Sequence, residues 1–254
     1  MTIQHQKALK PFPFELYLPK SNSSVPLVCI TPLLGRLQLF EDLFLEKHLA
    51  RFFAQNGLAA AVIDRPIFEF NPARGLEQIQ IYLEESLNRN RQVLDALVTY
   101  PEIDRNRIAS FGISFGAIVN CLWAASDSRI RAHVFALAGG DLPEIFITSR
   151  DPLMKSYLKA ALESSGLDTS SLKEKLCGIF KLDPLKECHS IGKQNVLLFL
   201  ALFDRIVQTR LGLALRNTLG KPETVFIPLG HYFSILAVPL LKHRALKFFK
   251  NRLF

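Results

Sequence analysis

The sequence lacks any apolar run of the ~18 residues needed to span a bilayer. The longest candidate, Val196 to Phe203, is stopped by Asp204. The opening stretch, MTIQHQKALKPFPFEL, lacks the apolar core of a secretory signal. Cysteine is sparse. Cys29, Cys121, Cys177 and Cys188 form no CxxC pair and no metal-like spacing. Cys29 and Cys121 fall in apolar segments and read as core thiols. Together these absences predict a cytoplasmic, reducing setting. There is no dinucleotide GxGxxG, no P-loop and no metal-ligating cluster, so no cofactor is expected. There is also no internal repeat, no low-complexity tract and no linker that would part the chain into domains.

The chain has 254 residues, of which 49% are hydrophobic and 21% charged, enough to build a large core. Its net charge of +8 is dispersed, except in the C-terminal LKHRALKFFKNRLF. There Leu241, Ala245, Phe248 and Phe249 share one helical face, and Lys242, His243, Lys247 and Lys250 lie elsewhere. This pattern predicts a terminal helix packed on the domain with a solvated basic face. Contact of that face with a membrane surface is the minor alternative. No nucleic-acid motif is present, and no nucleic-acid partner is expected.

Apolar runs and helical patterns alternate along the chain. Strands are predicted at 26–31, 58–63, 107–111, 132–137, 195–203 and 224–228. Helices are predicted at 41–55, 76–99, 117–125 and 207–219, and after Tyr232. Continuous apolar strands separated by helices predict an α/β fold: a doubly wound, mostly parallel sheet flanked by helices. One segment breaks the rhythm. Residues 142–192 carry helical patterns without a convincing strand and are too long for an ordinary connection. They are predicted to form a helical lid insertion within a single domain spanning 1–254.

The stretch RIASFGISFGAIVNCLWAAS (107–126) holds Gly112-Ile113-Ser114-Phe115-Gly116 between a strand and a helix. A sharp strand-to-helix turn exposes its central side chain above the sheet and crowds the backbone, so small flanking residues are needed. Gly112 and Gly116 meet that need, which makes Ser114 a candidate nucleophile. A serine hydroxyl needs a base to take its proton, and the base needs a group to orient it.

Here the chain resembles the α/β-hydrolase superfamily, from about Pro26 onward, and the branch of dienelactone hydrolases and acyl-peptidase-like esterases in particular. The resemblance is carried by PEIDRNRIASFGISFG (101–116), LDPLKECHSIGKQNVLLFLALFDRIV (182–207) and PLGHYF (228–233). In that family the chain order is nucleophile, acid, histidine, which implies Ser114, Asp204 and His231. Asp204 follows an apolar strand, at the sheet end where catalytic groups gather. Asp141, after the strand 132–137, is the rival acid. His231 sits in a Gly-His turn before the last helix. His5, His48, His133, His189 and His243 fit less well by position.

The resemblance also implies an oxyanion hole. One donor is the N–H of Phe115. The other belongs to the loop after the first strand, where this sequence reads Thr31-Pro32-Leu33-Leu34-Gly35 instead of the family's usual His-Gly-x-x-Gly. Pro32 has no N–H, so Leu33 is the candidate. Leu34, Tyr232 and Phe233 are expected to line an apolar pocket. The function implied is hydrolysis of a carboxylic ester or thioester of a hydrophobic acyl or aryl small molecule through an acyl-enzyme. A peptidase or amidase of the same fold, and a non-catalytic binding protein on that fold, are the alternatives.

Overall fold

A computed structural model describes residues 4–8, 12–34, 45–66 and 75–254. Its centre is an eight-stranded sheet built from β1 (Gln4–Ala8), β2 (Phe14–Leu18), β3 (Val25–Thr31), β4 (Ala59–Ile63), β5 (Ile103–Ile113), β6 (Ile130–Ala136), β7 (Val196–Ala201) and β8 (Glu223–Ile227). The spatial order is β1-β2-β4-β3-β5-β6-β7-β8. The β1–β2 and β2–β4 pairs are antiparallel, and the rest of the sheet is parallel. The order steps outward in both directions from β3 and β5, which is the doubly wound arrangement expected. The two antiparallel edge strands were not expected: their short stretches mix charged and apolar residues and give no continuous run. They add a hairpin at one edge and leave the central strands as predicted.

Central strands buried on both faces must be apolar on both. All seven residues of β3 (VPLVCIT) and all six of β7 (VLLFLA) are buried. One face is covered by α1 (Leu45–Gln55) and α9 (Val238–Leu253). There Phe53 packs edge-on against Phe111 of β5 and Phe249 of α9, with ring centroids 5.8 and 5.7 Å apart. Leu241, Ala245, Phe248 and Phe249 all point inward, and Lys247 and Lys250 outward. The terminal helix is therefore packed as its spacing predicts. The expected start of the α1 helix at 41 lies outside the described residues.

The other face is covered by α2 (Glu77–Leu97), α3 (Phe115–Ser126) and the helices of the 142–192 segment. Trp123 of α3 is fully buried there, as is Cys121. Cys29 is buried within β3, and its thiol pKa is pushed up by that burial.

The 142–192 segment forms α4 (Leu142–Thr148), α5 (Pro152–Ser165), α6 (Thr169–Ile179) and the single turn α7 (Pro184–Glu187). Each begins on an aspartate. Asp141, Asp151, Asp168 and Asp183 accept hydrogen bonds from Glu144, Met154, Ser171 and Leu185 N–H respectively. These caps satisfy donors that a helix start otherwise leaves orphaned. Proline in the first turn of α4, α5 and α7 supplies a preset φ where no N–H is needed. Asp183, itself buried, also accepts from Asp141 N at 3.0 Å and Leu142 N at 2.6 Å, which pins α4 to α7. After β7 the chain forms α8 (Thr209–Thr218), then β8. Among the described residues, no helix is long and apolar enough to cross a membrane.

Candidate active site

Ser114 stands between β5 and α3 at φ 55 and ψ −124, a backbone conformation costly for a residue with a side chain. The turn can be this tight only with glycine on both sides. A Cβ on Gly112 would fall 2.5 Å from Gly116 O, and one on Gly116 would fall 2.6 Å from Pro32 O. Ser114 N donates to Ala136 O on β6 at 2.8 Å, which anchors the turn to its neighbouring strand.

His231 follows β8 and opens a short 3-10 turn, Tyr232–Ala237. Its Nε2 lies 2.9 Å from Ser114 Oγ, and its Nδ1 lies 2.6 Å from Asp204 Oδ2. Asp204, just past β7, is buried. Its other oxygen, Oδ1, accepts from Ile206 N at 2.8 Å and Val207 N at 3.0 Å. Two backbone donors thus fix the carboxylate and leave one oxygen facing the imidazole. A ring held this way can take the serine proton through Nε2 while the carboxylate keeps Nδ1 protonated. The three residues lie 117 and 27 positions apart in the chain and meet only through the parallel sheet.

Asp141, the rival acid, is engaged elsewhere. It caps α4 in a left-handed conformation, φ 62. His133 and His48 also have other partners. His133 is buried in β6 against Ser110 Oγ at 3.1 Å, and burial lowers its pKa to about 4. His48 lies beside Lys242, and desolvation followed by that neighbouring charge lowers its pKa.

Of the two expected oxyanion donors, Phe115 is the first residue of α3, so its N–H has no intrahelical carbonyl to reach. The Leu33 N–H donates to Glu46 Oε1 at 3.3 Å, and Leu33 O accepts from Arg65 Nη1 at 2.7 Å. Gly35 lies outside the described residues. The end of β3 is held from below by a buried polar chain: Asn90 Nδ2 donates to Thr31 Oγ1 at 2.7 Å, and Thr31 Oγ1 donates to Asn120 Oδ1 at 2.6 Å.

A cavity of about 370 Å³ opens over the serine. Leu33, Leu34, Ser114, Phe115, His231 and Tyr232 line it. Phe233 is a correction: it is 68% exposed and points away from the cavity. The reason is the 3-10 turn. Tyr232, Ile235 and Val238 recur at three residues along the cavity wall, with buried Ser234 beside them, and Phe233 and Leu236 face solvent. Sequence reasoning missed Ile235 and Val238 for the same reason, and a three-residue period after His231 was the signal that could have found them. It also missed Ile145, Leu153 and Met154, which reach the cavity from α4 and α5. Tyr232 OH donates to Asp151 Oδ2, so the cap of α5 is tied to the residue after His231. Burial, followed by that bond and the carboxylate's charge, pushes the Tyr232 pKa up to about 12.

The sheet order, the strained serine turn and the side chains gathered at the carboxyl ends of β5, β7 and β8 define an α/β-hydrolase fold. Solved structures agree. A puromycin-hydrolyzing peptidase of Mycobacterium tuberculosis superposes with TM-score 0.68 at 16% identity, over 99% of this chain and 39% of that one. A putative dienelactone hydrolase of Klebsiella pneumoniae superposes with TM-score 0.65 at 15% identity, over 98% and 99%.

A family model described as "Esterase FrsA-like" matches residues 1–166, and the chain belongs to that family. The Esterase FrsA of Escherichia fergusonii is 34% identical over 119 residues, 46% of this chain and 26% of that protein. The match thus spans about a quarter of that relative's length. The family match includes Ser114 and ends before Asp204 and His231.

Proposed function

We propose that this protein is a serine hydrolase that cleaves a carboxylic ester or thioester of a hydrophobic acyl compound, with Ser114 as nucleophile, His231 as base and Asp204 as the orienting acid. The observation that supports this most is a single imidazole hydrogen-bonded at both nitrogens, to a buried carboxylate and to a serine on a strained turn.

In this reading Ser114 Oγ attacks the carbonyl carbon, and its proton passes to His231 Nε2. The carbonyl electron pair moves onto the oxygen. Its return breaks the bond to the leaving alcohol or thiol, which takes the proton from His231. Water then gives a proton to His231, attacks the acyl-serine and releases the carboxylic acid and the free serine.

The oxyanion is received by the N–H of Phe115 and of Leu33. At 3.3 Å the Leu33–Glu46 bond is longer than the usual 2.9–3.0 Å. A small shift re-aims that donor. No step calls for a cofactor. The segment 142–192 acts as a lid over the single domain 1–254, latched by the Tyr232–Asp151 contact.

Labelling with a fluorophosphonate probe tests the reading, comparing the unaltered protein with Ser114→Ala and His231→Ala. Labelling that needs both residues is expected. Equal labelling of Ser114→Ala would overturn it. Ester and anilide substrates of the same acid, assayed side by side, separate esterase from amidase.

A further inference from the structure

The cavity does not end at Ser114. Behind Phe115 lies a second, smaller chamber of about 80 Å³. Leu34, Phe115, Ile118, Ile145 and Met154 form the wall common to both chambers. The inner chamber's own walls are Ile79, Tyr82 and Leu83 of α2, Leu142 and Phe146 of α4, and Phe180. The Tyr82 ring leans on the Phe115 ring, with centroids 5.2 Å apart. Its lining is almost wholly apolar, so an apolar group is what it suits.

Position relative to His231 decides which part of a substrate enters. In the proposed mechanism the leaving group takes its proton from His231 Nε2, so it lies on the histidine side. That side of the outer chamber is walled by His231, Tyr232 and Ile235. None of these lines the inner chamber, which opens instead beside Leu34 and Phe115, next to the proposed oxyanion donors. The inner chamber therefore faces the part of the substrate that stays on Ser114 after the leaving group departs. Size narrows the chemistry further. Benzene fills an apolar cavity of about 150 Å³, and the inner chamber is about half that.

We infer that the substrate is an ester or thioester of an unbranched alkyl carboxylic acid whose chain end enters the inner chamber, and that Ile79, Leu83 and Phe180 set the longest chain accepted. This rests on the serine-hydrolase reading and adds the acyl class and the residues that measure it.

The test uses the purified full chain and two substrate series. One is p-nitrophenyl esters from acetate to palmitate. The other is acetate esters of lengthening alcohols. Each methylene that enters the chamber should raise kcat/KM about fourfold, until the chamber is full and the rate falls. Ile79→Phe narrows the chamber and should move the optimum to shorter acids. Phe180→Ala widens it and should move the optimum to longer ones. Both variants should keep the acetate rate and the fluorophosphonate labelling of the parent, which also shows that they fold.

Identical acyl-length profiles in parent and both variants, with acetate still cleaved, would overturn the chamber assignment alone. A shift seen in the alcohol series instead of the acyl series would overturn the orientation. Loss of both acetate turnover and labelling in the parent would overturn the hydrolase reading, and the inference with it.

Discussion

Two turns at the same end of the sheet carry an aspartate, and they do different work. After β6 the chain passes through Leu137 and Asp141, both at positive φ, and Asp141 closes the start of α4. After β7 it reaches Asp204, whose carboxylate is held by two backbone N–H groups and faces His231. Both residues follow an apolar strand, and both lie where catalytic groups gather in open sheets. The difference is what each carboxylate meets. Asp141 is spent on a helix start beside Asp183, and Asp204 is aimed at an imidazole. Position at a strand end thus does not by itself bring a carboxylate to the histidine.

The comparison can be sharpened by mutation, beginning with the largest expected effect. Ser114→Ala and His231→Ala remove the groups that both turns surround. Each should lower kcat by about 10⁶-fold, leaving only what binding and the oxyanion donors provide. Ester turnover by purified variants measures this.

Asp204→Asn keeps the shape of its turn and should lower kcat by about 10⁴-fold, because an amide can hold the ring in the wrong tautomer. The matched Asp141→Asn should leave kcat within about twofold. If the two aspartates gave reversed results, Asp141 would be the acid and Asp204 would not.

The strands feeding the two turns differ as well. β7 is wholly apolar, but β6 carries buried His133. That histidine is neutral in the fold, where burial lowers its pKa to about 4, and it regains a pKa near 6.5 when unfolded. The unfolded chain therefore binds more protons in this window. The stabilising contribution is complete above about pH 6.5 and is lost as the pH falls toward 4, at about 1.4 kcal/mol per unit of pKa difference. Urea midpoints at pH 7 and pH 4.5 should differ by less in His133→Gln than in the parent.

Asp141→Ala removes the cap and leaves an alanine in a left-handed conformation. It should cost about 1–2 kcal/mol of stability with little change in kcat. Urea titration beside an ester assay reads both.

The smallest effect concerns the turn after β3. Glu46→Gln keeps the size of the side chain bonded to Leu33 N–H but removes a negative charge beside the proposed oxyanion. A rise in kcat of a few-fold is expected, measured with KM on a short-chain ester.

The sequence by itself determined the parallel part of the sheet, the serine turn and the order of the three polar residues. Continuous apolar strands such as VLLFLA need cover on both faces, and GISFG admits few backbones besides a sharp turn. The terminal helix was legible in the same way, since Leu241, Ala245, Phe248 and Phe249 repeat at helical spacing.

The edge hairpin β1–β2 was not legible, because its strands are short, polar residues interrupt them, and their pairing is a property of the sheet edge. Nor was the division of labour between Asp141 and Asp204. Both are aspartates after apolar strands, and only the packing of α4 against Asp183, and of β8 beside β7, decides which carboxylate reaches the histidine. Phe233 teaches the same point on a smaller scale. Its neighbour Tyr232 lines the cavity and Phe233 does not, because the 3-10 turn after His231 brings Tyr232, Ile235 and Val238 to the cavity wall at three-residue spacing and leaves Phe233 in solvent. The two-chamber cavity belongs wholly to the tertiary structure, since its walls come from α2, α3, α4 and the loop after β3. Local sequence set the backbone at each turn, and the meeting of side chains distant in the chain had to wait for the sheet and its helices to close around them.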